Sequence, residues 1–386
     1  MKIAIATTGR FHVLDLAKEL IKNDYEVMFY SLVPPWRLKY FGIEEKYCKN
    51  LFFWMLPMIV LQRMAKGRWL RIKTDNLLNL AIDWLIAFKL EQCEIFIGMS
   101  GLSNRSAIKA KANYGAKIYI ERGSRHILSQ KRILDDLKKR GLNVETVDKI
   151  HVKRELISYD LADKIVVAST HVQRSFVEEG CQSNKLFVNN YGVDLNMFPP
   201  TKIHSENIPP TILYVGAWSY RKGVDILVKA WEPLEGVELI HVGSIVDAPL
   251  PKSKRFKHFE PIPQWGLKEI YKLAHIFVIA SREEGLALVQ LQALACGLPL
   301  VCTDRTGGED LKRIIENNHL IKVVKHDDAV SLGVAIKELL PYAMKLNDIR
   351  NIYGQSRLLF SWEEYGKKYI NEIIRDTERK TNQYSI

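Results

Sequence analysis

The amino-acid sequence predicts an α/β protein of two doubly wound domains, each built on a parallel sheet covered by helices, which face each other across a cleft. Short β-rich runs recur along the chain, and each is followed by a polar or glycine turn and then a helical pattern. Several runs are apolar at both odd and even positions, as strands buried on both faces are. The length of 386 residues exceeds what one ordinary hydrophobic core holds. Such strand–helix alternation predicts parallel sheets with right-handed crossovers.

The predicted strands form two groups, one in each half of the chain. In the first half they lie at 2–6, 27–31, 94–99, 117–120, 164–168 and 186–189. In the second half they lie at 211–215, 237–242, 276–280, 299–303 and 321–324. Residues 193–210 are rich in Pro, Asn and polar side chains, which predicts a linker between the groups. We assign residues 1–195 to an N-terminal Rossmann-like domain, 205–360 to a C-terminal one and 361–386 to a terminal helix.

Composition and charge restrict the class of protein. A hydrophobic share of 47% and a charged share of 26% are typical of a soluble globular protein. The net charge of +12 indicates an anionic partner: nucleotide phosphates, acidic lipid headgroups or nucleic acid. The 5 cysteines never form a C-x-x-C pair, and the first residues make a poor signal peptide. The longest apolar block, 51–61, is shorter than the ~20 residues of a membrane span. These features predict a cytoplasmic protein.

One motif lies at residues 280–303, "ASREEGLALVQLQALACGLPLVCT". It predicts a strand, an acidic turn and a helix closed by Gly297 and Pro299. The N–H groups and positive dipole end at the start of the helix suit a phosphate. Glu284 and Gln292 are eight positions apart, roughly 12 Å along a helix. Side chains so spaced can hold the two ends of an extended ligand, and a sugar nucleotide has that length.

A second motif lies at 212–231, "ILYVGAWSYRKGVDILVKAW". It predicts a strand that runs into Gly216, a loop that carries Arg221 and Lys222, and an amphipathic helix. A cation beside a glycine turn at the carboxyl end of a strand suits a diphosphate. Ligands of open α/β sheets bind outside the carboxyl ends of the strands, so both motifs predict a site in the cleft.

These motifs carry a family resemblance. Together with "IYIERGSRHI", "YGVDLNMFPP" and "FSWEEYGKKY", in chain order, they resemble the glycosyltransferases of family 4, over nearly the whole chain. The resemblance implies the GT-B fold and transfer of a sugar, with retention of anomeric configuration, from a nucleotide-sugar donor. It implies a glycan or lipid-linked acceptor in surface polysaccharide or glycolipid assembly, and a last helix that crosses back onto the N-terminal domain.

The resemblance also assigns roles at the donor site. Glu284 matches the glutamate that contacts hydroxyls of the donor sugar, and Gln292 stands where a second glutamate grips the ribose; an amide still donates and accepts there. Lys222 matches the lysine at the diphosphate, but Ala217 stands where an arginine is expected. We expect Arg221 to compensate, and Glu283 to face solvent. The remaining donor-site residues expected near the diphosphate are Gly216, Gly285, Leu286 and Ala287.

The N-terminal domain is expected to supply the acceptor side. Gly9 lies in the first strand–helix turn, and Arg122 and His126 lie in "RGSRH". His126 is the family-like candidate to touch the donor sugar or the acceptor, and we count it with Glu284 and Lys222 as catalytic. The sequence has no Asp-x-Asp motif, and GT-B enzymes generally need no metal. We therefore expect neither a metal ion nor a cofactor.

The segment 34–73 mixes aromatic and apolar residues with lysines and arginines. That composition is typical of a surface that lies on an anionic bilayer, where a lipid-linked acceptor resides. We predict a peripheral contact with the inner face of the membrane. The alternative is an ordinary helix of the domain with one face in the core and a solvated basic face.

The sequence also bears on functions other than sugar transfer. The departures at Ala217 and Gln292 leave open a catalytically impaired sugar-nucleotide-binding or scaffold protein of the same fold. The order of the motifs argues against a GT-B epimerase or phosphorylase. No recognised nucleic-acid motif accompanies the net charge, so we expect no nucleic-acid partner. "ATTGRFHVLDL" lacks the G-x-G-x-x-G of a Rossmann dehydrogenase.

Overall fold

The first domain is built on a parallel sheet of seven strands. The computed structural model describes residues 1–201, 209–346 and 352–383. The strands are β1 (Lys2–Ala6), β2 (Glu26–Ser31), β3 (Cys48–Asn50), β4 (Ile95–Met99), β5 (Lys117–Arg122), β6 (Lys164–Val167) and β7 (Leu186–Val188). Their order in the sheet is β3-β2-β1-β4-β5-β6-β7. The order reverses between β1 and β4, which is where doubly wound sheets open a crevice for ligands.

The second domain is built on a parallel sheet of six strands. They are β8 (Thr211–Val215), β9 (Glu238–Val242), β10 (Phe256–Phe259), β11 (Ile276–Ile279), β12 (Leu300–Thr303) and β13 (Ile321–Val324). Their order is β10-β9-β8-β11-β12-β13, which places its reversal between β8 and β11. Strands β8, β11 and β12 are buried along their whole length, because helices cover both faces of the sheet.

Helices cover both sheets. Those of the first domain are α1 (Phe11–Lys22), α2 (Pro35–Tyr40), α3 (Phe52–Met64), α4 (Arg68–Lys89), α5 (Asn104–Tyr114), α6 (Ile127–Lys139), α7 (Lys149–Leu161) and α8 (Thr170–Val177). Those of the second are α9 (Val224–Trp231), α10 (Leu267–Tyr271), α11 (Leu288–Ala295), α12 (Gly308–Ile314) and α13 (Ala329–Met344). The last helix, α14, spans Trp362–Gln383. Within the described residues, none of these helices is both long and apolar enough to cross a membrane.

The two parallel sheets confirm the predicted fold class, and every predicted strand is present within one residue or two of its expected bounds. The sequence did not predict β3 and β10. Both are edge strands with partly exposed side chains. They therefore lack the continuous apolar run that a strand buried on both faces shows. The predicted linker at 193–210 lies partly outside the described residues.

Helix α14 packs on the N-terminal domain although it follows the C-terminal one. The Tyr369 hydroxyl donates to Glu121 at 2.8 Å, and the Tyr119 hydroxyl donates to Asp376 at 2.6 Å. A Cβ at Gly366 would lie 2.5 Å from the Cβ of Glu19, so the absence of a side chain lets α14 approach α1 closely. These contacts tie the end of the chain to the sheet of the first domain.

Candidate active site

A cavity of about 580 Å³ lies between the domains, at the carboxyl ends of β1, β8 and β11. Its size is in the range of pockets that hold small molecules. The N-terminal domain contributes Arg10, Phe11, His12, Asp15, Met99 and Gly123 to the wall. The C-terminal domain contributes Gly216, Ala217, Lys222, Glu284, Leu286 and Ala287. The structure thus brings five of the predicted donor-site residues to one cavity: Gly216, Lys222, Glu284, Leu286 and Ala287.

Lys222 and Glu284 form an ion pair in this cavity, and 14% and 17% of their side chains are exposed. The loop Tyr220–Lys222 that carries the lysine ends at Gly223, whose φ is 67°. A Cβ at Gly223 would overlap the carbonyl oxygen of Ala280, so only glycine lets this loop lie against the end of β11. That close approach is what brings the two charges together.

The surroundings of Lys222 act against the charge of its ammonium. Burial lowers the pKa of Lys222 to about 7, and the nearby guanidinium of Arg221 acts in the same direction, while Glu283 opposes them. A lysine in this state is readily charged by an approaching phosphate, since an anion raises its pKa again. The charge of Lys222 on the cavity wall therefore depends on the ligand.

Arg221 and Glu283 form a second ion pair beside the first. The Nη1 of Arg221 lies 2.9 Å from a carboxylate oxygen of Glu283, which is fully buried. Ser124 and Gln130 of the N-terminal domain also donate to this carboxylate. Burial would raise the pKa of Glu283, but Arg221 and the Ser124 hydroxyl outweigh it and hold the pKa below its ordinary value. The expectation that Glu283 faces solvent is therefore wrong. The guanidinium of Arg221 is held by Glu283 and does not line the cavity.

Helix α11 begins at the cavity wall without a side-chain cap. Ala287 is its N-cap residue, and its side chain makes no cap hydrogen bond to the first N–H groups. Leu286 and Ala287 line the cavity, while the carbonyl of the preceding Gly285 accepts from Ser169 at 2.9 Å. A Cβ at Gly285 would overlap the carbonyl oxygen of Gly123, so the glycine permits close approach between the domains. Gly285 shapes the site without lining the cavity.

Gln292 does not reach the cavity. It is 5% exposed, and its Oε1 accepts from the hydroxyl of Tyr271 at 3.0 Å. The prediction that its amide faces the ribose therefore needs correction for this conformation, because the side chain is turned into the core of the second domain.

His126 and Arg122 are also held inside the protein. The Nδ1 of His126 accepts from the N–H of Leu128 at 3.3 Å and so caps α6, and its ring packs between Tyr159 and Phe176. Burial lowers the pKa of His126 to about 4. Arg122 pairs with Glu155 at 2.7 Å. Neither side chain lines the cavity, so their assignment to the acceptor side is corrected.

Gly9 is likewise not part of the wall, and a Cβ there would meet only the Phe11 ring at 3.4 Å. The residues that reach the cavity from this turn are its neighbours Arg10, Phe11 and His12. The Nε2 of His12 lies 2.8 Å from a carboxylate oxygen of Glu121. The sequence analysis did not predict these three residues. They follow β1 at its carboxyl end, where ligands of such sheets bind, and that position could have identified them.

A surface of exposed aromatic and apolar side chains lies on α2 and α3. Its members are Trp36, Tyr40, Phe53, Trp54, Val60, Leu61 and Met64, each exposed by 47% or more. The rings of Tyr40 and Trp265 are 6.0 Å apart, so this surface touches the C-terminal domain near the cavity. Exposed rings continue on α4, where Trp84 and Phe88 stack at 6.0 Å. The sequence prediction for 34–73 did not include these two.

No three His, Cys, Asp or Glu side chains cluster so as to hold a metal ion in the part of the chain that the structure describes. Metal-independent transfer stays a prediction.

Residues 209–341 match the family described as glycosyl transferases group 1. A subunit of phosphatidylinositol N-acetylglucosaminyltransferase from Arabidopsis thaliana is 24% identical over 258 residues, which cover 62% of this chain and 55% of the plant protein. The chain thus spans about half the length of this relative. The family resemblance predicted from the motifs is confirmed.

Two solved structures share the fold over nearly the whole chain. Sucrose-phosphate synthase from Thermosynechococcus elongatus has a TM-score of 0.68 and 17% identity, covering 98% of this chain and 100% of its own. Anabaena HepE, in complex with UDP and glucose, has a TM-score of 0.63 and 13% identity, covering 97% and 100%. These similarities show the GT-B type of fold.

Proposed function

Because residues 209–341 of this chain match the group 1 glycosyl transferases, we propose that the protein moves a sugar from a nucleotide-sugar donor to a lipid-linked or glycan acceptor, with retention of anomeric configuration. The observation that carries the proposal is the Lys222–Glu284 pair beside the uncapped start of α11. A cation, helix N–H groups and a carboxylate on one wall suit the diphosphate and the sugar hydroxyls of such a donor.

During sugar transfer, negative charge develops on the departing diphosphate. The bond between the anomeric carbon and the phosphate oxygen breaks, and the acceptor hydroxyl bonds to that carbon on the same face. The hydroxyl proton passes to the departing diphosphate. Lys222 and the N–H groups at Leu286 and Ala287 stabilise the negative charge that grows on the diphosphate, while Glu284 holds hydroxyls of the sugar. This is electrostatic preorganisation by groups fixed before the reaction.

The solved neighbours support the choice of donor class. The HepE structure contains UDP and glucose, which are the parts of a nucleotide-sugar donor. The cavity of about 580 Å³ has room for a ligand of this size between the two domains.

The acceptor side of the proposal depends on the surface of α2 and α3. Exposed rings such as Trp36, Phe53 and Trp54 lie beside exposed cations that include Arg37 and Lys39. Aromatic rings insert at the level of the headgroups, and cations bind anionic lipids, so this surface suits peripheral contact with a membrane. The plant relative is named for transfer to phosphatidylinositol, a lipid acceptor. We place the reaction in glycolipid or surface polysaccharide synthesis at the inner face of the membrane.

A catalytically impaired sugar-nucleotide-binding or scaffold protein is the second candidate. Gln292 turned toward Tyr271 and the missing cation at Ala217 favour it. Calorimetry with a panel of UDP-, GDP-, ADP- and TDP-sugars, beside Lys222→Ala, tests donor binding. Release of nucleoside diphosphate in the presence of lipid acceptors then separates transferase from scaffold, and NMR of the product gives the anomeric configuration.

Vesicle binding tests the membrane surface. The triple variant Trp36→Ser, Phe53→Ser, Trp54→Ser should lose cosedimentation with anionic vesicles while donor binding is kept. A matched control replaces Val330 and Tyr342, which are exposed by 78% and 63% on α13, and should cosediment like the wild type. Equal cosedimentation of both variants would contradict the membrane contact.

A further inference from the structure

The C-terminal wall of the cavity is short of positive charge for a diphosphate. The ammonium of Lys222 is met by the carboxylate of Glu284, and the guanidinium of Arg221 is met by Glu283. Ala217 lines the cavity but brings no charge. A nucleoside diphosphate carries more than one negative charge, so this wall alone leaves part of that charge unmatched.

Arg10 faces the same cavity from the N-terminal domain. It lies at the carboxyl end of β1, is the N-cap residue of α1, and is half-buried. Its guanidinium carbon lies 4.5 Å from the centre of the Phe41 ring. Among the residues that the structure describes, its N–H groups donate no hydrogen bond. Across the described residues, Arg10 takes part in no ion pair.

The other polar side chains on that wall already have partners. Asp15 pairs with Lys18 at 2.5 Å, and the Nε2 of His12 lies 2.8 Å from a carboxylate oxygen of Glu121. Arg10 is therefore a cation of the cavity wall that no wall carboxylate neutralises. A guanidinium presents a rigid fork of donors that matches two phosphate oxygens at once.

The backbone after Arg10 supports a functional role for this turn. Phe11 has a φ of 23°, outside the regions that side chains with a Cβ normally adopt. Such backbone strain is concentrated at binding and active sites. Phe11 also lines the cavity, so the strained turn is part of the wall.

Resting on the proposed function, we propose that Arg10 binds the diphosphate of the donor from the opposite domain and takes the place of the arginine that is missing at Ala217. The diphosphate would then be held by Lys222 on one side of the cleft and by Arg10 on the other. In this arrangement donor binding draws on both domains at once.

The test is calorimetry of UDP and GDP, with the matching nucleosides, against wild type and Arg10→Ala. Loss of a charged hydrogen-bonding partner should weaken nucleoside diphosphate binding by about tenfold or more and leave nucleoside binding unchanged. Arg375→Ala is the matched control, since the side chain of Arg375 on α14 is 61% exposed and lies outside both the cavity wall and the surface of α2 and α3. It should bind both ligands as the wild type does.

A rescue variant guards against a folding defect. Arg10→Ala combined with Ala217→Arg should regain most of the lost nucleoside diphosphate affinity, and Arg10→Lys should fall between wild type and Arg10→Ala. If Arg10→Ala binds nucleoside diphosphate as tightly as the wild type does, the inference about Arg10 is overturned and the proposed function is not. A higher KM of this variant for a phosphorylated lipid acceptor would then show that Arg10 serves the acceptor phosphate. Absence of any nucleotide binding by the wild type removes the proposed function as well.

Discussion

Lys222 and Glu284 neutralise each other in the cleft, although one comes from the loop after β8 and the other from the loop after β11. The pair links the carboxyl ends of the two strands at which the second sheet reverses its order. A donor that places its diphosphate at Lys222 and its sugar at Glu284 has to exchange this ion pair for contacts of its own. Binding and catalysis therefore draw on the same two charges.

Glu284→Gln should separate these two roles. Removing the carboxylate frees Lys222 for phosphate, so nucleoside diphosphate affinity should stay equal or rise, whereas kcat for transfer should fall about a hundredfold. Calorimetry and a nucleotide-release assay measure the two quantities. A loss of nucleotide affinity without a loss of kcat would contradict the assignment of Glu284 to the sugar.

Nucleotide binding should depend on pH through Lys222. Its pKa is lowered to about 7, so the charged form that attracts phosphate prevails below that pH and is lost above it. Nucleoside diphosphate affinity should fall as pH rises from 7 toward 9, by at most about tenfold per pH unit. Lys222→Arg keeps its charge over this range and should give a flatter profile. Wild type and variant with the same slope would show that Lys222 is not the titrating group.

Arg221 should contribute to stability more than to nucleotide binding. Among the described residues, Arg221→Ala leaves the buried carboxylate of Glu283 with Ser124 and Gln130 as its remaining donors. We expect a loss of about 1.5–3 kcal/mol in the free energy of unfolding. Glu283→Gln added to Arg221→Ala should recover part of it, since the uncompensated charge is then gone.

Denaturant titration measures the stability of these variants, and calorimetry measures their nucleotide affinity. A drop of tenfold or more in nucleoside diphosphate affinity for Arg221→Ala, with stability unchanged, would restore the role that the sequence predicted for Arg221.

His126→Asn should give a folded enzyme with reduced stability. Asparagine can still cap α6, but the ring packed between Tyr159 and Phe176 is lost, at about 1–3 kcal/mol. Transfer by the folded variant should stay within about twofold of wild type. A large loss of kcat with an intact fold would return His126 to the catalytic groups.

The same variant should change the dependence of stability on acid. The pKa of His126 is lowered from 6.5 to about 4 in the fold, so stability is fully present above pH 6.5 and is lost as pH falls toward 4. Between pH 7 and pH 4.5, removing the imidazole should lessen this loss by about 2 kcal/mol. Unfolding at pH 7 and pH 4.5, with and without the substitution, measures the difference.

Much of the fold was predictable because its signals are local. Strands such as β8 and β12 are buried on both faces and read as short apolar runs, and Gly216 and Gly223 mark the turns that follow β8. The edge strands β3 and β10 gave no such signal. Their side chains are partly exposed, so no run of apolar residues marks them.

The sequence by itself determined which two strand ends carry the site, because strand burial and turn chemistry depend on neighbouring residues. The family resemblance selected Glu284 and Lys222, but the sequence could not say where their neighbours Glu283 and Arg221 point, since adjacent side chains in a turn point in different directions. Only the tertiary structure decided this: Ser124 and Gln130 of the opposite domain draw Glu283 into the protein and leave Glu284 in the cavity. The same holds for His126, which packing against Tyr159 and Phe176 turns away from the cleft, and for Arg10, which the strained turn at Phe11 places there.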